Sequence, residues 1–163
     1  MSTKKLARRE FMRLSAATVA GMALVGTSAL AGSQRFSITH TPAEWNRILG
    51  PARYHILREA GTEPPYSSPL LKEHRKGTFN CAGCGQHLFS SSTKFESGTG
   101  WPSFWQVLPA KAITRPDRGL GIERTEVLCA RCGGHLGHVF DDGPKPTGLR
   151  YCMNGLALAF EVG

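Results

Sequence analysis

At 163 residues and 40% hydrophobic composition, the chain holds one modest core and excludes a multidomain assembly. Five of its basic residues and one acid fall within the first 31 positions, so the net charge drops from +8 to +4 over the remaining 132. Basicity concentrated in that way argues against a nucleic-acid binder.

The first element is a leader. Lys4, Lys5, Arg8, Arg9 and Arg13 form a cationic start, and a weakly apolar stretch rich in Ala, Gly, Ser and Thr runs from Leu14 to Leu30. Ala29-Leu30-Ala31 supplies a small-x-small cleavage signal. We therefore expect an export signal over 1–31, cleaved, and one domain over 32–163. Arg8-Arg9-Glu10-Phe11-Met12 resembles the twin-arginine signal, which a receptor reads as an address. It implies export to the periplasm, or outside a cell with one membrane. An uncleaved anchor is the competing reading. Leu14 to Ala31 spans a bilayer only marginally at about 1.5 Å per residue, and Gly21 and Gly26 dilute it, so no stable anchor is expected.

Residues 32–40 read as an unstructured lead-in. Thr41-Pro42-Ala43-Glu44 then carries a helix start, with Thr41 as N-cap, Pro42 at the first turn and Glu44 closing a capping box. Trp45, Ile48 and Leu49 give it a buried face. Gly50-Pro51 breaks this helix and starts a second, carrying Tyr54, Ile56 and Leu57 to a stop at Gly61. Glu63-Pro64-Pro65-Tyr66 is loop, because two prolines forbid both helix and central strand. Beyond Gly77 short apolar segments alternate with Gly, Pro, Ser and Asn, the pattern of a small antiparallel β domain. Strands are expected around Thr78-Phe79, His87–Phe89, Phe104-Trp105, Ile122–Leu128, Val139-Phe140 and Leu156–Phe160.

Four of the five cysteines form two matched pairs, Cys81-Ala-Gly-Cys84 and Cys129-Ala-Arg-Cys132, each followed by glycine. Four thiolates close a tetrahedron around zinc and leave it no catalytic position. One structural zinc per chain is expected. The alternative is two local disulfides or a redox C-x-x-C, but such a redox pair opens a helix after a strand, and nothing helical follows Cys84 or Cys132.

Cys152 stands alone in Arg150-Tyr151-Cys152-Met153-Asn154. On a strand, Arg150, Cys152 and Asn154 share one face. A nearby guanidinium favours the thiolate, whereas free cysteine is also a common inert core residue; the segment alone leaves both readings open. His135 and His138 tilt the balance, because Gly137 between them permits a bulge that turns both to one side as proton carriers, although either one alone reads more readily as a core or surface histidine. Ser97-Gly-Thr-Gly-Trp101-Pro-Ser-Phe104 is a loop that presents Trp101 as an aromatic wall or buries it beneath a turn.

Taken together, Glu63–Tyr66, both knuckles, Gly98–Phe104, His135–Phe140, Gly143–Cys152 and Asn154 resemble the B-type methionine sulfoxide reductases, which reduce the R epimer, over about residues 41–161. The resemblance implies a compact, mainly β domain of two antiparallel sheets with short N-terminal helices and a zinc-binding double knuckle. It implies catalytic roles for Cys152, His138, His135 and Asn154, and substrate-binding roles for Trp101, Phe140 and Arg150, with Cys81, Cys84, Cys129 and Cys132 on the metal. Cys152 then attacks the sulfoxide sulfur of free or protein-bound oxidised methionine and ends as a sulfenic acid. Two positions depart from the pattern. Thr99 stands where many relatives carry a resolving cysteine, so an external thiol such as a thioredoxin-like protein is expected to reduce the sulfenic acid. Gly155 stands where relatives often have serine, and Asn154-Gly155 is also a hairpin signal. The chain is expected to act as a monomer. A noncatalytic zinc-knuckle binding module has no need of a cation-flanked thiol, and a thiol–disulfide oxidoreductase lacks its βαβ context here.

Overall fold

The computed structural model describes residues 35–163 apart from 120 and 122; the expected leader lies outside the described residues. Among those described, no helix is long and apolar enough to cross a membrane.

The chain enters through α1 (Pro42–Glu59), whose capping box forms as the sequence indicates. Glu44 N–H donates to the Thr41 side chain at 3.3 Å, and Thr41 N–H donates to the Glu44 carboxylate at 2.8 Å. The two expected helices are halves of one kinked element. Gly50 leaves helical geometry at φ 70°, ψ 166°, and Pro51 has no N–H with which to continue the ladder. The helix ends at Ala60, in a left-handed conformation at φ 53°, one residue before the expected glycine. Trp45, Ile56 and Leu57 are buried, but Ile48 is 51% exposed. Successive helical residues lie about 100° apart, and a face centred on Trp45 and Leu49 leaves Ile48 on its solvent side.

Two antiparallel sheets follow. The smaller has the order β2–β1–β9, from β1 (Gly77–Cys81), β2 (His87–Ser90) and β9 (Leu158–Val162). The larger is built from β3 (Lys94–Phe95), β4 (Ser103–Phe104), β5 (Ala112–Asp117), β6 (Arg124–Cys129), β7 (His135–Phe140) and β8 (Arg150–Met153), in the order β3–β4–β8–β7–β6–β5. Both sheets and α1 contribute to one core. Phe89 stacks on Phe104 with centroids 4.3 Å apart, and Phe79 meets Phe104 edge-on at 4.9 Å. Leu136, Met153 and Leu158 complete the buried layer. Strand β5 was absent from the sequence expectations because it contains Pro116 and two charged residues, Arg115 and Asp117. Its place at the sheet edge explains why proline is tolerated there.

The hairpin expected at Asn154-Gly155 does not form. Asn154 instead caps a short 3₁₀ turn, Gly155–Ala157, through which the chain leaves β8 and crosses to β9 in the other sheet.

Candidate active site and metal centre

Cys81 closes β1 and Cys129 closes β6, so the knuckle turns that carry their partners project from different sheets. The turns meet. Cys81 Sγ lies 3.7 Å from Cys132 Sγ, Cys84 Sγ lies 3.6 Å from Cys129 Sγ, and all four sulfurs fall within 4.8 Å of one another. Bonds of about 2.3 Å in a tetrahedron place sulfurs about 3.8 Å apart, so the cluster fits a zinc-sized ion. None of the four is in a disulfide, and the nearest contacts run between the pairs, which a local redox C-x-x-C does not require. Gly85 and Gly133 take positive φ of 71° and 69°, which lets each turn tighten onto its first cysteine. Hydrogen bonding with Cys129 pushes the Cys81 thiol up and draws the Cys84 thiol down. Four thiolates at this spacing repel one another, and a cation among them offsets that repulsion.

The bulge inferred from Gly137 is present in β7. Val127 pairs with Gly137 and Leu128 with His135, leaving Leu136 as the extra residue. Gly137 has φ 153°, and a Cβ there would lie 2.1 Å from the Cys152 carbonyl oxygen. The bulge brings the His135 and His138 rings to 5.5 Å.

Register assembles the rest. Arg115 faces Glu126, Glu126 faces His138, His138 faces Cys152, and Cys152 faces Ser103. Side chains alternate along each strand, so one row across the sheet carries Arg115, Glu126, His138 and Cys152. The adjacent row pairs Asp117 with Arg124 and Phe140 with Arg150. Asp117 accepts from Gly119 N–H at 2.9 Å and from Arg124 at 2.6 Å, and its carboxylate lies 2.8 Å from His138 Nε2. The Gly119 N–H, His138 and Arg124 together hold the Asp117 carboxyl well below the usual range. Glu126 contacts His135 Nδ1 at 2.7 Å and accepts from Arg115. Burial works to raise the Glu126 carboxyl, but Arg115 and His135 outweigh it and lower it. Burial pushes the His135 imidazole down, against the pull of Glu126. The Glu126 carboxylate fixes the orientation of the His135 ring.

A cavity of about 130 Å³ opens over half-buried Cys152. Trp101 and Phe140 form its apolar walls; His138, Asn154, Thr62 and Arg124 form the polar ones. Pockets that enclose whole small molecules run to about 300–1,000 Å³, so this one accepts the tip of a side chain. Of the expected site residues, Cys152, His138, Asn154, Trp101 and Phe140 meet here. Two stand outside. His135 lines the neighbouring polar cavity with Glu126 and Asp117. Arg150 stacks on the back of Phe140 at 4.4 Å and makes two 2.8 Å bonds to Asp142, which raise its affinity for its proton, with Cys152 contributing in the same direction.

Glu63 organises the site from outside the sheet. Its carbonyl accepts from Trp101 Nε1 at 3.1 Å and its N–H donates to Asn154 Oδ1 at 3.0 Å. Its carboxylate accepts from the N–H groups of Gly155 and Leu156. Ser68 Oγ sits 1.9 Å from where a Cβ on residue 155 would be, so the packing requires glycine there. Thr99 Oγ1 lies 3.7 Å from Cys152 Sγ and 2.8 Å from Ser97 Oγ, which in turn is 2.7 Å from Ser103 Oγ.

Residues 49–162 match the SelR domain family. The chain is 51% identical over 127 residues to the "Peptide methionine sulfoxide reductase MsrB" of Methanosarcina barkeri, covering 77% of this chain and 89% of that protein. The protein of the same name from Leptospira interrogans is 50% identical, with 77% and 97% covered. That from Bradyrhizobium diazoefficiens is 55% identical, with 72% and 86% covered.

Proposed function

The chain belongs to the SelR domain family, and on that premise we propose that it reduces methionine-(R)-sulfoxide in proteins and peptides through Cys152. The observation that carries this reading is Cys152 at the base of a side-chain-sized cavity, directly across the ladder from His138. The S-methyl group packs on the Trp101 face, an apolar methyl against an aromatic ring, while Phe140, backed by Arg150, closes the other side. His138 lies within reach of the sulfoxide oxygen, with Asp117 fixing its Nε2, and Asn154 orients the oxygen. His135 is a positioning residue that acts through the β7 bulge.

Cys152 sulfur attacks the sulfoxide sulfur, the sulfoxide S–O bond breaks, and the oxygen transfers to Cys152 with a proton through His138. Methionine sulfur gains two electrons and Cys152 leaves as sulfenic acid. One external thiol displaces water from that acid to give a mixed disulfide, and a second thiol releases Cys152. Cys81, Cys84, Cys129 and Cys132 hold one zinc, whose contribution is to structure. The cationic and small-residue pattern of residues 1–31 supports an export leader and a mature domain from 32.

The test is an epimer-resolved assay on N-blocked methionine sulfoxide with stoichiometric metal analysis. We expect consumption of the R epimer alone and one zinc per chain. Consumption of the S epimer, or no methionine formed, removes the reading.

A second measurement concerns recycling. Thr99 Oγ1 lies 3.7 Å from Cys152 Sγ, while a disulfide needs about 2.05 Å, a gap that a side-chain rotation and a small loop shift close. Thr99→Cys is expected to trap the oxidised enzyme as an intramolecular disulfide after one turnover. The sulfenic acid then becomes invisible to dimedone, and dithiols outperform monothiols as reductants. Unchanged dimedone labelling would show that the 97–101 loop cannot make that approach.

A further inference from the structure

We propose that Tyr66 is a contact for the protein thiol that reduces oxidised Cys152, an inference that rests on the function proposed above. Tyr66 is 69% exposed, among the few large hydrophobic side chains so exposed in the described residues. It is also held at both its backbone and its hydroxyl. Its N–H donates to the Gly100 carbonyl at 2.7 Å, and its hydroxyl donates to the Gly98 carbonyl at 2.7 Å. Its ring lies against Gly100, where a Cβ would come within 3.0 Å of two ring carbons. The backbone stays at φ 63°, a left-handed conformation that a bulky residue adopts at a cost.

Neither burial nor core packing accounts for that arrangement. An aromatic side chain held in one orientation and left in water loses little entropy on meeting a partner, the property of an interface anchor. Its position names the partner. Gly98 and Gly100 flank Thr99, and Thr99 touches Cys152. The anchor therefore sits on the side of the site where this chain lacks a second thiol. The cavity lined by Asp117, Arg124, Glu126 and His135 lies on the other side of β8, toward β7, β6 and β5. Pro64 and Pro65, both exposed, extend the apolar surface beside the ring. With no resolving cysteine at position 99, the reductant brings its own sulfur to Cys152. Tyr66, bonded to the Gly98 and Gly100 carbonyls on either side of Thr99, offers it a fixed aromatic surface, so a folded protein carrying an exposed dithiol is the occupant that fits.

The experiment compares wild type, Tyr66→Ala and Tyr66→Phe in three assays: methionine formed in a single turnover without reductant, steady-state turnover with dithiothreitol, and turnover with reduced thioredoxin. For Tyr66→Ala we expect the apparent KM for thioredoxin to rise roughly 10-fold or more, with single-turnover and dithiothreitol rates within about twofold of wild type. Tyr66→Phe keeps the ring and is expected to stay close to wild type in all three. A parallel loss in the single-turnover rate places Tyr66 in the substrate's path and overturns the proposal, as does an unchanged thioredoxin KM. Absence of methionine from wild type in the single-turnover arm instead removes the underlying function.

Discussion

Cys152→Ser is expected to lower turnover of methionine-(R)-sulfoxide by about 10⁴-fold or more and to leave the fold and the zinc content unchanged. The chemistry requires an atom that both attacks sulfur and accepts oxygen. Sulfur does so by moving one step up its oxidation ladder, to sulfenic acid. A serine oxygen would have to end as a hydroperoxide, and its hydroxyl is a far weaker nucleophile at neutral pH than a thiolate. The structural cost is small, because Cys152 is half-buried at the wall of a cavity and serine keeps the shape. The measurement is methionine released in a single turnover, with dimedone capture of the sulfenic acid in wild type and thermal unfolding as the control. Retained single-turnover methionine in the serine variant would move the nucleophile elsewhere. A collapse of thermal stability would show that Cys152 is a packing residue first.

Local features of this site were legible in the sequence because they depend on neighbouring residues. The Thr41–Glu44 capping box, the paired knuckles and the bulge at Gly137 each follow from spacing within a few positions. So does the shared face of Arg150, Cys152 and Asn154. The partners that tune the site were not legible. Asp117, Arg124 and Glu126 reach His138 and His135 through strand register, and register joins residues with no local signal in common. Strand β5, which supplies Arg115 and Asp117, was obscured by Pro116 and its charges. Glu63 lay in a loop whose two prolines said only that it was neither helix nor strand. Its three-way link to Trp101, Asn154 and the turn after β8 depends on how that loop packs. Asn154-Gly155 misled for a related reason. A two-residue hairpin needs the following strand to return beside the first, and here the next strand belongs to the other sheet.

That crossing between sheets also sets the second large effect, removal of the metal. Cys81 and Cys84 sit at the end of the three-stranded sheet, and Cys129 and Cys132 sit at the end of the six-stranded one. A bound ion therefore joins two sheets that share no strand. Apparent binding energies for four-ligand structural zinc reach about 10–16 kcal/mol, whereas whole domains are stable by about 5–15 kcal/mol. The intact aromatic core around Phe79, Phe89 and Phe104 keeps the realised loss below the first figure, but even a third of it, about 3–5 kcal/mol, is a large share of the stability. Cys129→Ser is expected to abolish zinc binding and to lower the unfolding temperature by about 10 °C or more. Arg58 Nη1, which donates to the Cys132 carbonyl at 3.0 Å, would lose a fixed partner, loosening α1 as well. Cys152 lies outside the cluster, so at temperatures where the variant remains folded, its single-turnover reduction of sulfoxide should persist. Zinc content by atomic absorption and unfolding by circular dichroism decide the point. A metal-free protein with wild-type stability would mean that the four thiols hold the sheets together without an ion.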